Sequence, residues 1–187
     1  LARSVDMTPE QWLEHRKTHI GASDVPVILG LVPYKSPFTL YCQKRGLVPS
    51  DDETIAMRAG HALEPLIAEL YQEATGRDVW NPGDFRVFIH PDNDWLTCTL
   101  DRAAKFDAGK AGPVELKSAA EFKAKDWKDE EAPLPHVCQN QIQQAVVGAE
   151  IGSVAGLVGN REFAWFDQER NDRLLKAIIP KLKEFYE

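Results

Sequence analysis

The sequence predicts a single α/β or α+β domain spanning residues 1–187. Helical periodicity and capping signals fill the first 76 residues, and short segments rich in β-forming residues follow. The pattern then alternates between helix and strand to the end of the chain. Helices first, then a sheet, then further helices and strands is an α+β or α/β plan. A chain of 187 residues is long enough for one domain with one hydrophobic core.

Four helices are predicted before residue 77. They run from Thr8 to about His19, from Ser23 to Leu29, from Ser36 to near Gly46, and from about Glu53 to Thr75. The first begins with a capping box and has a proline at its first position. The last shows apolar residues at three- and four-residue steps. Pro65 lies inside it, so either this helix kinks or a new one begins there.

The middle of the chain is predicted to form a meander of antiparallel strands. The expected strands are Asp78–Trp80, Phe85–Ile89, Trp95–Leu100, Ala103–Phe106 and Val114–Lys117. Further on, the pattern predicts a helix over Val137–Glu150, strands at Ser153–Gly159 and Glu162–Phe166, and a closing helix over Gln168–Tyr186.

Charge leaves nucleic-acid binding open. The net charge is −7, but residues 51–100 alone carry three Lys and Arg against ten Asp and Glu. Carboxylates that bind divalent cations would have that charge cancelled. Three dispersed cysteines favour a reducing, cytoplasmic location. No apolar run is long enough for a membrane span and no signal peptide is evident, although the start at Leu1 leads us to expect that a short piece is missing.

The main candidate for chemistry is Asp101 followed, after thirteen intervening residues, by Glu115-Leu116-Lys117. On a strand, Glu115 and Lys117 would share one face while Leu116 enters the core. Asp101 would bring a second carboxylate beside Glu115. Two carboxylates and a backbone carbonyl suit Mg²⁺ or Mn²⁺, and a neighbouring lysine can orient or deprotonate a metal-bound water. The alternative is a surface ion pair.

The acid–any residue–lysine pattern occurs three times, and only the first lies among β-forming residues. Glu121–Lys123 and Asp126–Lys128 fall in the polar stretch Ala119–Glu131, which is predicted to be a solvated helix. The nuclease interpretation therefore depends on the first occurrence.

Three further residues could support such a site. Glu64 borders the apolar stripe of the fourth helix, where a carboxylate is costly unless it is paired or metal-bound. Its alternative role is to cap a helix entered at Pro65. Gln139 and Gln143 lie one turn apart and could donate to a phosphate or a metal-bound water. Their alternative is a solvated helix flank.

Taken in order, these motifs resemble a known family. The motifs are Gly60-His61-Ala62-Leu63-Glu64-Pro65, Leu100-Asp101, Glu115-Leu116-Lys117 and Gln139-Asn140-Gln141-Ile142-Gln143. They are similar to the phage-lambda-type exonucleases, the YqaJ-like viral recombinase nucleases of the restriction-endonuclease-like PD-(D/E)xK superfamily. The resemblance implies a restriction-endonuclease-like core with a central mixed β-sheet flanked by helices. It also implies a Mg²⁺-dependent 5′-to-3′ exonuclease that releases mononucleotides from double-stranded DNA and leaves 3′ overhangs for strand annealing.

The resemblance also implies roles for individual residues. Asp101, Glu115 and the Leu116 carbonyl would hold two Mg²⁺ ions, which Mn²⁺ could replace, and Glu64 would assist. Lys117 would act on the attacking water, and Gln139 would lie near the scissile phosphate. A second set would bind the 5′-phosphate and DNA: Arg16, Ser23 of the Ala22-Ser23-Asp24 turn, Thr99 and Gln143.

Partners and departures follow from the same resemblance. It implies a homotrimer acting on DNA ends, together with a single-strand annealing protein. Arg102 stands where a glycine is common, and His136-Val137 where aromatic residues are common.

Two alternative functions stay open: a restriction-type or nicking endonuclease on the same core, and a non-catalytic DNA-end-binding scaffold. Three cysteines do not suffice for an iron–sulfur cluster. His15 and His19 are interpreted as a solvated face rather than a zinc site.

Overall fold

The computed structural model describes residues 2–127 and 131–187. Within them are six helices and nine strands. The helices are α1 (Pro9–Thr18), α2 (Val25–Ile28), α3 (Pro37–Lys44), α4 (Ile55–Thr75), α5 (Leu134–Val147) and α6 (Asp172–Tyr186). The strands are β1 (Arg3–Asp6), β2 (Ile20–Gly21), β3 (Val79–Trp80), β4 (Arg86–Ile89), β5 (Leu96–Cys98), β6 (Arg102–Lys105), β7 (Ala111–Ala119), β8 (Ile151–Val158) and β9 (Glu162–Glu169). Short 3₁₀ helices cover Ala22–Asp24, Asp107–Gly109 and Glu121–Trp127.

The strands form two mixed sheets with helices packed against them. The larger has the order β3-β6-β7-β8-β9, and its only parallel pair is β7–β8. In that pair Glu115 lies beside Val154 and Lys117 beside Gly156. Because β7 and β8 are parallel, the chain crosses between them through α5, which brings that helix against the strand carrying Glu115.

The smaller sheet corrects the expected meander. Its order is β1-β4-β5-β2, with β2 parallel to β5 and the other pairs antiparallel. β4 and β5 therefore form a hairpin that leaves the larger sheet after β3, and β6 returns to pair with β3. Strand partners far apart in the chain, such as Val5 and Val87, cannot be identified from local composition.

Helix α4 covers one face of the larger sheet. Its buried residues Ile67, Ala68 and Tyr71 pack with a group of strand residues: Ala104, Val114, Leu116, Ala155 and Leu157. On the other face, Trp127 packs over Gly156 with Val154 and Val158. A Cβ atom at Gly156 would lie 2.3 Å from the Trp127 ring, so the indole needs a glycine there.

The helix boundaries follow the capping signals closely. Thr8 and Gln11 form the expected capping box at the start of α1. Helix α4 continues as one helix through Pro65 and ends at Gly76, which has a φ of 68°. None of the helices in the described part of the chain is both long and apolar enough to cross a membrane.

Candidate active site

A cleft of about 340 Å³ lies where α1, the Ala22–Asp24 turn, α4, α5 and the ends of β5 and β7 meet. Its lining includes most of the residues selected from the sequence. These are Arg16, Ser23, Glu64, Thr99, Asp101, Glu115, Leu116, Lys117 and Gln139. The fold therefore brings together residues that are more than 100 positions apart in the chain.

Glu115 lies at the centre of this cleft and is almost fully buried, with 1% of its surface exposed. Lys117 forms an ion pair with its Oε1 atom. Gln139 Nε2 donates to Oε1 at 2.7 Å, and Gln143 Nε2 donates to Oε2 at 2.5 Å. Both carboxylate oxygens thus accept hydrogen bonds from α5. Leu116 points to the opposite face and packs under α4, as strand alternation predicted.

Asp101 lies in the short connection between β5 and β6, directly before β6, and is fixed by the backbone of β7. The Leu116 N–H donates to its Oδ2 atom at 2.8 Å. Burial, and then the negative charge of Glu115, raise the pKa of Asp101 to about 8. The charge of Glu115 is the second cause of this shift, and both carboxylates line the same cleft, as expected of a pair that shares one site.

Lys117 offsets part of this negative charge. Burial alone would lower its pKa, but the carboxylates of Glu115 and Asp101 outweigh burial and raise it. The side chain remains 27% exposed at the cleft. Lys117 is therefore a protonated donor in this arrangement, with its ammonium group placed between the carboxylates and the open space of the cleft.

Glu64 faces the same cleft from the middle of α4. It is half-buried, and burial is the main reason that its pKa is raised. Glu115 raises this pKa further, while His61, Arg102 and Lys117 lower it. The helix continues unbroken through Pro65, so Glu64 does not cap a helix start.

The donor set fits a divalent cation that retains water ligands. Among residues 2–127 and 131–187, no three His, Cys, Asp or Glu side chains converge as a complete metal site. Mg²⁺, however, usually binds through one or two carboxylates and completes its shell with water and phosphate oxygens. Burial and then the charge of Glu115 raise the pKa of Asp101, and a bound cation would oppose both by favouring the ionised carboxylate. Asp101, Glu115 and the Leu116 carbonyl are the oxygen donors for it, with Glu64 nearby.

Arg16 and Ser23 line the same cleft, and both are exposed. The Arg16 guanidinium lies over the Trp12 ring, 4.7 Å from its centroid. Ser23 belongs to the 3₁₀ turn between β2 and α2, and Thr99 lines the cleft between this turn and Asp101. The two groups of residues inferred from the sequence therefore share one continuous cleft.

Two interpretations made from the sequence need revision. Gln143 is 1% exposed and lies behind Glu115, so it supports that carboxylate rather than facing bound DNA. Its burial, and that of Gln139, also excludes a solvated flank. His15 and His19 are partly buried and stack at 3.7 Å, and His15 Nε2 contacts Thr97 Oγ1 at 3.3 Å. They are not a solvated face.

The two departures from the family pattern have different surroundings. Arg102 donates to the Asp101 carbonyl at 2.5 Å, so it braces the turn that carries Asp101. His136 lies on α5 next to Trp127, with 5.8 Å between ring centroids. Burial, followed by the positive charges of Lys117 and Lys123, lowers the pKa of His136 to about 3, so it is neutral at physiological pH.

Sequence reasoning missed several residues of the cleft wall. Trp12, His15, Met57 and Thr97 line the cleft but carry no motif of their own. His15 lies one residue before Arg16 on a helix whose other residues are mostly exposed, which is the only local sign of its position. The contact between His15 of α1 and Thr97 of β5 joins α1 to the smaller sheet, whereas Met57 is brought to the cleft by α4, and local sequence specifies neither arrangement.

Comparison with known proteins agrees with this geometry. The sequence profile of the YqaJ-like viral recombinase domain matches residues 11–150. The chain belongs to this family. The uncharacterized protein YqaJ of Bacillus subtilis (strain 168) is 32% identical over 189 residues, a match that covers all of this chain and 58% of the relative. The chain thus spans little more than half the length of that YqaJ-like protein.

Solved structures show the same fold. The alkaline exonuclease LHK-Exo from Laribacter hongkongensis, in complex with dAMP, matches with a TM-score of 0.72 and 21% identity, over 94% of this chain and 90% of that one. A phage-related exonuclease from Haemophilus somnus 129PT matches with a TM-score of 0.61 and 10% identity, over 90% and 93%. The restriction-endonuclease-like fold expected for a YqaJ-like domain is confirmed, with a second sheet added to the expected central one.

Proposed function

We propose that this YqaJ-like domain is a Mg²⁺-dependent exonuclease that degrades double-stranded DNA from its 5′ ends. It would release mononucleotides and leave 3′ single-stranded overhangs for recombination by strand annealing. The observation that carries the proposal is the single cleft that is lined both by Asp101, Glu115 and Lys117 and by Arg16 and Ser23. The names of the structural neighbours, which are exonucleases, and the mononucleotide dAMP bound to one of them, support it.

The chain's own residues suggest how cleavage would proceed. Asp101, Glu115, the Leu116 carbonyl and Glu64 would hold two Mg²⁺ ions, or Mn²⁺ in their place. When bound, the ions would activate water and stabilise the leaving oxygen. Because its pKa is raised, Lys117 would act as a hydrogen-bond donor that orients the attacking water or a phosphate oxygen. Gln139, which lines the cleft and holds Glu115, would fix the carboxylate from the α5 side.

A second group of residues in the cleft would bind the terminus of the DNA strand. Arg16, Ser23 and Thr99 form what we name the end-phosphate pocket. A guanidinium group and hydroxyl donors suit a terminal phosphate. An anchored 5′-phosphate would set which bond lies beside the carboxylates, so that one nucleotide is removed in each cycle. A homotrimer around DNA and a single-strand annealing protein are the partners we propose for this activity.

Digestion of matched linear and closed-circular duplexes tests the proposal. Each linear duplex carries either a 5′-phosphate or a 5′-hydroxyl, and each reaction is run with Mg²⁺, with Mn²⁺, or with EDTA. We expect cation-dependent release of mononucleotides from linear DNA only, faster with the 5′-phosphate. Cleavage of the circle would indicate an endonuclease, and DNA binding without any cleavage would indicate a scaffold. Either result would overturn the exonuclease assignment.

A further inference from the structure

Lys44, the last residue of α3, lies under the end-phosphate pocket and carries no role in the site described so far. Its ammonium group contacts three oxygen atoms: the Arg16 carbonyl at 2.7 Å, the His19 carbonyl at 2.8 Å and Asp24 Oδ2 at 2.7 Å. The three N–H groups of the Lys44 ammonium therefore each have one acceptor. Since the side chain is only 14% exposed, Lys44 is committed to the protein rather than available to a ligand.

Asp24 completes the connection on the other side. Its Oδ2 atom also accepts a hydrogen bond from the Gly21 N–H at 2.9 Å, and its side chain is 7% exposed. This bond closes the Ala22–Asp24 turn, which contains Ser23. A buried ion pair contributes little net stability, because desolvation of both charges offsets their attraction. The bonds of Lys44 and Asp24 instead fix the relative position of the elements that they join.

The joined elements carry two of the three residues of the end-phosphate pocket, Arg16 and Ser23. The Arg16 and His19 carbonyls belong to the C-terminal turn of α1, where backbone oxygens lack partners within the helix. Through Lys44, this turn is linked to the turn that carries Ser23. The backbone of Arg16 is therefore bonded to the same ammonium group as the carboxylate that closes the Ser23 turn.

We propose that Lys44, acting through Asp24, is a positioning residue that sets the separation of Arg16 and Ser23 and so determines selection of a 5′-phosphorylated end. This inference rests on the proposed function. Arg16 and Ser23 are themselves exposed, Arg16 in the last turn of α1 and Ser23 in the middle of the Ala22–Asp24 turn. Without the shared ammonium group, the two donors would no longer be held at the spacing that one phosphate requires, whereas Asp101, Glu115 and Lys117 would be unaffected.

The test compares hydrolysis of linear duplexes that differ only in a 5′-phosphate or a 5′-hydroxyl. The variant is Asp24→Asn with Lys44→Met, which removes both charges and leaves neither buried alone. We expect the phosphate-to-hydroxyl ratio of kcat/KM to fall about tenfold or more, with the rate on 5′-hydroxyl ends preserved. Lys17→Met is the matched control, because Lys17 is an exposed neighbour of Arg16 that pairs with Glu14. It removes one positive charge from the same region and should keep the ratio.

Three results would overturn the inference: an unchanged ratio in the double variant, an equal loss on both kinds of end, or an equal loss of ratio in Lys17→Met. If circular dichroism shows that the double variant does not fold, the same ratio is measured for Lys44→Arg instead. It keeps the charge beside Asp24, but a planar guanidinium cannot reproduce three tetrahedral donors, so the ratio should still fall. A wild-type protein without any phosphate preference would instead refute the proposed end-phosphate pocket itself.

Discussion

The same three-residue pattern occupies two very different environments in this protein. Glu115 and Lys117 lie on a strand inside the larger sheet, where Glu115 is buried and bonded to Lys117, Gln139 and Gln143. Glu121 and Lys123 lie in the 3₁₀ helix that follows, and both are exposed. The difference shows that burial and surrounding donors, rather than the pattern itself, make an acid–lysine pair chemically useful.

The bonding of the two acids illustrates this. Glu121 pairs with Arg161 at 3.7 Å, and both side chains are more than 70% exposed. Such surface pairs contribute little, because water screens them. Glu115 is held by three donors within a cleft that also contains Asp101 and Glu64. Repulsion among these carboxylates is what a bound cation would relieve. The third pair, Asp126–Lys128, ends outside the described residues.

The largest expected effect is on the rate of DNA cleavage, when Lys117 is replaced by alanine and the same change at Lys123 serves as the control. Lys117→Ala should lower DNA cleavage by about a thousandfold or more, because the water or phosphate loses its charged donor. Lys123→Ala should leave cleavage within about twofold of wild type, since exposed charges away from a site have small effects. Cleavage is measured by mononucleotide release and DNA binding by fluorescence anisotropy. Retained cleavage with intact binding in Lys117→Ala would remove the lysine from the proposed mechanism.

A smaller effect is expected from the amides that surround Glu115. Gln143→Leu removes a buried donor to Glu115 without changing the open part of the cleft, so kcat should fall about 10- to 100-fold with little change in KM. Gln141→Leu is the matched control. Gln141 is equally buried on α5 but bonds to the Glu169 carbonyl and the Asn171 N–H.

Gln143→Leu should lose about 1–3 kcal/mol of stability, since it leaves the buried Glu115 carboxylate without one of its donors. Gln141→Leu should lose less, because its partners belong to the exposed residues Glu169 and Asn171. Chemical denaturation measures this loss, and steady-state kinetics measures kcat. An equal fall in kcat for Gln141→Leu would show that the effect of Gln143 is only structural.

The smallest effect concerns pH and the crowding of carboxylates. With its pKa raised to about 8, Asp101 keeps its proton in the folded protein between about pH 4 and 8, whereas the unfolded chain has released it. Its contribution to stability therefore falls as pH rises through that window. In EDTA, Asp101→Asn should remove this slope and be more stable than wild type at pH 8 by about 1–3 kcal/mol.

Denaturant unfolding at several pH values checks this. The contribution of Asp51 to stability should depend on pH in the opposite direction, since a hydrogen bond from Lys35 lowers its pKa. Its favourable contribution is therefore present near neutral pH and is lost as the solution is acidified. A steeper pH dependence in Asp101→Asn than in wild type would contradict the raised pKa of Asp101.

Much of this arrangement could be predicted from the sequence, because its signals are local. The Thr8 capping box, the Ser36 cap and the glycine after Thr75 place three helices within a few residues of their observed bounds. Strand alternation likewise predicted that Glu115 and Lys117 share a face opposite Leu116. The β-type surroundings of the first acid–lysine pair separated it correctly from the pair at Glu121 and Lys123.

What could not be predicted depends on contacts between distant parts of the chain. The pairing of β2 with β5, and the separation of β4 and β5 into a second sheet, join segments whose composition does not encode a partner. The burial of Gln143 follows from the packing of α5 on β7, since a glutamine one turn from another suits a surface equally well. The bond from Lys44 to the Arg16 carbonyl could not be predicted either, because it requires α3 to lie against α1.

The crossover from β7 through α5 to β8 has a consequence for the nascent chain on the ribosome. Glu115 takes its two amide donors from residues synthesised 24 and 28 positions later. While only the chain up to β7 has emerged, both members of the acid–lysine pair are present but the carboxylate has no partner on α5. The parallel pairing that buries Glu115 also requires β8. A fragment that ends in this interval would therefore lack the buried carboxylate with its amide donors, so the candidate site can assemble only after α5 and β8 have been synthesised.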